Sequence, residues 1–70
     1  MKTPEELKQI WQDNPDGLAH AFGNMLCEFG FNSLTDDKVK ECIQRYYDNQ
    51  PAPSLDVIDV FIRGYLEKGT

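Results

Sequence analysis

Residues 54–69 read SLDVIDVFIRGYLEKG, and this stretch decides the architecture. Val57, Ile58, Val60 and Ile62 are β-branched, which invites a strand over Leu55–Ile62. A half-buried strand alternates apolar and polar residues, and Leu-Asp-Val-Ile-Asp-Val-Phe-Ile does not. Ser54 is an N-cap residue type, Asp56 sits where a helix dipole favours negative charge, and Gly69 suits a C-terminal stop. The segment therefore predicts a helix over about 54–68. At about 100° per residue, Leu55, Ile58, Ile62, Tyr65 and Leu66 share one arc. Val57, Val60, Phe61 and Gly64 share an adjoining arc, spaced i, i+3, i+4 and i+7. Asp56, Asp59, Arg63 and Glu67 are left as a narrow polar strip for solvent. A surface helix needs one apolar stripe, and this one has two. Two arrangements satisfy the pattern. Either this helix is central and the rest of the chain wraps it, or its second arc is exposed in the monomer and forms an interface.

Upstream, the punctuation predicts three more helices. Thr3-Pro4-Glu5-Glu6 has a cap, a first-turn proline and a capping-box glutamate. It opens a helix over about 3–13 with Leu7, Ile10 and Trp11 on one face, ended by Pro15. Asn14-Pro15-Asp16-Gly17 is turn chemistry, and Asn14 or Asp16 can also cap the next helix. That helix, about 15–30, carries the stripe Leu18, Phe22, Met25, Leu26 and Phe29 and closes at Gly30. Thr35 caps a third helix over about 35–50, with Asp36 and Asp37 in its first turn and Leu34 and Val39 placed as a hydrophobic staple. Val39, Ile43, Tyr46 and Tyr47 form its buried stripe, and Pro51-Ala52-Pro53 is a stiff connector. The expectation is one all-α domain over 1–70, a compact bundle of four short helices.

Size and charge bound what such a domain does. The chain has 70 residues, 12 acidic and 7 basic side chains, and a formal net charge of −5. A domain this short buries only about 60% of its unfolded surface, so added burial against another chain is valuable. Excess acid opposes phosphate binding, which needs Lys and Arg. Lys38, Lys40 and Arg45 make helix three locally basic, but Glu41 and Asp48 offset them, and the lysines can pair with neighbouring acids. No stretch reaches 18 apolar residues and residues 1–20 carry no apolar signal core, so the expected location is the cytoplasm, with no membrane partner. In that setting Cys27 and Cys42 are expected as reduced thiols.

Chemistry-bearing residues do not assemble into a reaction centre. His20, Asn24 and Cys27 face one side of helix two and are the residue types of a cysteine nucleophile site. His20 and Cys27 are separated by about 10 Å of helix rise, out of hydrogen-bond reach. The carboxylates follow no calcium-loop pattern, and the single histidine with two cysteines is too few for a zinc site. Ser54-Leu55-Asp56, followed by Val57-Ile58-Asp59, resembles the Asp-Ser-Leu segment of acyl carrier proteins, small acidic four-helix proteins whose Ser carries phosphopantetheine. Pro53 stands where that family has Asp, and the segment opens the last helix rather than the second. Ser54 is accordingly read as a cap, and no metal, cofactor or small-molecule ligand is expected.

The resulting expectation is a non-enzymatic protein-interaction module that presents a helical apolar surface to a protein partner or to a second copy of itself. Val57, Val60, Phe61 and Gly64 are the primary surface residues. Trp11 and Tyr47 join them because aromatics are enriched at binding hot spots. The alternative is an acidic decoy, a nucleic-acid mimic or antitoxin-like inhibitor whose carboxylates fill a basic site on a partner.

Overall fold

A computed structural model describes residues 2–50 and 57–69. Among them are four helices and no strand: α1 (Pro4–Asp13), α2 (Pro15–Glu28), α3 (Asp36–Tyr47) and α4 (Val57–Lys68). The all-α bundle is thus observed. No helix is long and apolar enough to cross a membrane.

The starts of α1, α2 and α3 follow from side-chain caps. Thr3 Oγ1 accepts from the Glu6 amide at 3.2 Å, and Thr35 Oγ1 accepts from the Lys38 amide at 3.2 Å. Of the two caps considered for α2, Asn14 is the one used: its Oδ1 accepts from the Gly17 amide at 3.1 Å. The same residue ends α1, since its amide donates to Ile10 O at 2.7 Å. The expected cap at Ser54, together with Leu55 and Asp56, lies outside the described residues.

α1 and α4 end at the expected residues, whereas α2 and α3 fall short of theirs, for a common reason. α2 stops at Glu28 because Gly30 takes φ 97°. The Phe31 amide returns to Leu26 O and the Gly30 amide to Cys27 O, both at 3.1 Å, the paired bonds of a Schellman turn. α3 stops at Tyr47 rather than near 50 because Asn49 adopts φ 56° and does the same job. Its amide donates to Tyr46 O at 3.2 Å and that of Gln50 to Arg45 O at 2.9 Å. Asn tolerates the left-handed conformation better than most residues. At the end of α4, Gly69 takes φ 79°, and a Cβ there would collide with the Lys2 carbonyl. Glycine lets the two ends of the chain pass each other.

One core joins all four helices: Leu7 and Trp11 from α1, Leu18, Ala19, Phe22 and Leu26 from α2, Val39, Cys42 and Ile43 from α3, Ile62 and Leu66 from α4. Two expectations are corrected. Phe29, placed in the stripe of α2, is exposed, because the helix ends before the periodicity reaches it. Asp59, placed on a solvent strip, is only 5% exposed. Of the two arrangements open for α4, the structure has the second: the Ile62–Leu66 face is buried against α1 and α3, while the other arc faces outward.

Candidate functional site

The outward arc of α4 carries three of the four exposed large apolar residues among those described. Val57 is 57% exposed, Val60 58% and Phe61 37%. The turn after α2 extends this surface. By reversing the chain at Gly30, it sets Phe29 and Phe31 on either side of Phe61. The Phe29 ring stacks on Phe61 with centroids 6.1 Å apart, and Phe31 meets it edge-on at 5.6 Å. Phe31 is half-buried, but Phe29 remains 56% exposed. Aromatic pairs in these geometries contribute about 0.5–1.5 kcal/mol beyond their area burial, so Phe61 is held in place by its neighbours rather than left free.

Beside this ridge, an open groove of about 400 Å³ is lined by Val60, Phe61, Gly64, Tyr65, Lys68 and Gly69. Gly64 has no Cβ, and one built there would meet no atom of the described residues within 4 Å. Tyr65 forms one wall and is itself braced edge-on against Phe22 at 6.3 Å. Among the described residues lining the groove, Lys68 alone is charged.

The opposite side of α4 is polar but packed. Arg63 Nε donates to Asp59 Oδ2 at 2.7 Å, and its Nη2 donates to Gln50 O at 2.7 Å. The guanidinium lies 5.9 Å from the Tyr46 ring centroid, within cation–π range. The polar strip thus fastens α4 to the end of α3, and this anchoring turns the Val57–Val60 arc outward.

Of the remaining surface candidates, Trp11 is 8% exposed and stacks on Tyr47 with centroids 6.1 Å apart. It belongs to the core, where a large aromatic on the inner face of an amphipathic helix normally goes. Tyr47 is half-buried, and its hydroxyl is buried with no hydrogen-bond partner among the described residues. Burial, and secondarily the charge of Tyr46, raises its pKa above the usual phenol value. These two residues offer the surface little.

The polar residues of α2 and α3 hold the helices to each other. His20 Nδ1 lies 3.2 Å from Asp36 Oδ2, and Lys40 Nζ donates to Asp16 Oδ1 at 2.7 Å. The hydrogen bond and charge of Asp16 raise the Lys40 pKa above its ordinary value. Cys27 is exposed, and its thiol donates to Phe31 O at 3.6 Å, whereas Cys42 is buried. Among the described residues no three His, Cys, Asp or Glu side chains come together as a metal cage.

Sequence reasoning found Val57, Val60, Phe61 and Gly64, and the structure brings all four onto one surface. It missed Phe29 and Phe31. The signal was present: Gly30 was read as the closing residue, and in a Schellman turn the residue before the glycine is a non-helical cap and the one after it packs back on the helix. The chain matches no protein family model, no curated protein and no solved structure.

Proposed function

We propose that this chain is a small interaction module that works by binding another protein through the Phe29–Val57–Val60–Phe61 face, and not by catalysis. The observation that supports it is the contiguity of that face. Four large apolar side chains between 37% and 58% exposed are joined by the Phe29–Phe61 stack in a domain with little core to spare. Exposed apolar patches on small proteins mark binding sites, and rigid aromatics lose little entropy when they bind.

Val60→Glu tests this, because Val60 is exposed and the fold does not depend on it. Tagged wild type and variant are expressed in the native host, and the captured proteins are quantified. At least one protein, or the untagged chain itself, is expected to be retained by wild type and reduced tenfold or more with Val60→Glu. It should stay bound at about 0.5 M salt, where exposed charges are screened. Identical capture by both proteins overturns the proposal.

The acidic-decoy reading draws on the net charge of −5. It predicts the reverse pattern, binding lost at about 0.5 M salt and indifferent to Val60→Glu. Asp16, Asp36, Glu41 and Asp59 are already engaged by Lys40, His20, Arg45 and Arg63, which reduces the charge on offer and favours the apolar face.

A further inference from the structure

Resting on that reading, we propose that the partner on this face is a second copy of the chain, with the two α4 helices antiparallel about a two-fold axis. The Val57–Val60–Phe61 ridge of each copy sits in the Gly64 groove of the other.

The shape of α4 carries this. Ridge and groove overlap on one helix: Val57 stands toward its start, Val60 and Phe61 wall the groove, and Gly64, Tyr65 and Lys68 carry the groove toward the helix end. Antiparallel pairing centred between Ile62 and Arg63 sets Phe61 against Gly64, Val60 against Tyr65 and Val57 against Lys68, twice over. Any helical stripe has this symmetry of spacing. What is particular here is the sizes: the largest ridge side chain meets the residue with none, and exposed Val57 meets the aliphatic stem of Lys68. An isologous contact requires such self-complementarity.

Gly64 is the second strand of the argument. An interior helix glycine destabilises relative to alanine, and the monomer has no use for it. Its backbone is helical, not left-handed, and no described residue has an atom within 4 Å of where its Cβ would be. Gly23, the other interior helix glycine, has Asp36 Oδ1 at 3.5 Å from that position. A half-buried glycine in the floor of an apolar groove has a purpose once another chain approaches it closely.

Electrostatics and area set the strength. Antiparallel helices oppose their macrodipoles favourably, and among the described residues the groove lining is uncharged apart from Lys68. Yet each copy carries −5, so self-association should tighten as salt screens the repulsion. A 12-residue helix is about 18 Å long. Its face, even with Phe29, is at the small end of stable interfaces, which bury about 800 Å² per partner. Dissociation constants in the micromolar range are expected.

Sedimentation equilibrium on the purified chain from about 10 µM to about 1 mM, at low and high salt, tests the pairing beside Gly64→Leu. The leucine fills the groove while leaving the monomer fold its space and its helix propensity. Wild type is expected to dimerise in this range and more tightly at high salt. Gly64→Leu should weaken the dimer tenfold or more with a melting temperature equal to or above that of wild type. Isotope-filtered NOEs should join the Phe61 ring of one copy to Gly64 Hα of the other. Should Gly64→Leu lose its fold, Val57→Lys, at an exposed position, gives the same reading. A wild type monomeric throughout overturns the homodimer while leaving the interaction module to the host-cell capture. A dimer that both variants leave intact overturns the α4 pairing.

Discussion

The two apolar faces of α4 are built from the same kinds of residue and meet opposite fates. Ile62 and Leu66 are sealed against the rest of the bundle, whereas Val57 and Val60, within a turn and a half of Ile62, stand in solvent. Hydrophobicity does not choose between them. The choice comes from the third, polar face. Asp59 and Arg63 pair with each other, and Arg63 reaches the Gln50 carbonyl and the Tyr46 ring. A helix fixed at its polar edge has only one rotation left, and in that rotation Ile62 points inward. Apolar patterning makes a helix sticky on two sides, and directional groups decide which side is core.

The sharpest way to break this comparison is to truncate one residue on each face. Ile62→Ala removes a fully buried side chain and should cost about 2–5 kcal/mol. That is a large part of the roughly 5 kcal/mol a small domain possesses, so the variant should be mostly or wholly unfolded. Val60→Ala should stay within about 0.5 kcal/mol of wild type. Urea melts followed by circular dichroism read both. Equal costs would mean that both faces are buried.

Next in size is the polar edge. Asp59→Ala strips Arg63 of its carboxylate inside the bundle and leaves it only the Gln50 carbonyl. Hydrogen bonds to charged groups contribute about 1.5–3 kcal/mol, and a loss in that range is expected in the same melts. A cost near zero would mean that Asp59 faces water, that α4 is turned, and that the outward arc is not where the present geometry sets it.

The fold was legible because its boundaries are written in local chemistry. Thr3, Asn14, Thr35, Gly30 and Gly69 each act through hydrogen bonds or dihedral preferences spanning at most five residues. Residues whose fate depends on another helix were not legible. Asp59 looks solvent-facing on a helical wheel, because the wheel knows nothing of Arg63 reaching the end of α3. Phe29 fits the α2 stripe until the turn at Gly30 removes it. Trp11 carries the composition of a hot spot, yet its position opposite Tyr47 makes it core. The candidate surface was half legible for the same reason: the α4 arc is a one-helix pattern, whereas the contribution of Phe29 requires two segments to meet.

Tyr47 supplies the smallest and most specific test of the sealed face. Its ring packs on Trp11 and Tyr46, with centroids 6.1 and 5.2 Å away, and its hydroxyl is buried without a partner among the described residues. Losing water without gaining a hydrogen bond is unfavourable, so Tyr47→Phe should be neutral or stabilising, by up to about 1 kcal/mol. It should also change the alkaline limb of stability. Burial raises the pKa of the folded phenol, while the unfolded one titrates near its usual value of about 10. Above that value the unfolded chain releases the proton and the folded chain holds it. Stability is therefore fully present below about pH 10 and is lost as pH rises through the folded pKa. Urea midpoints of wild type should fall over this window, and those of Tyr47→Phe should fall less. Parallel curves for the two proteins would mean that water reaches the hydroxyl and that the bundle beneath α4 is open there, which would erase much of the contrast between its two faces.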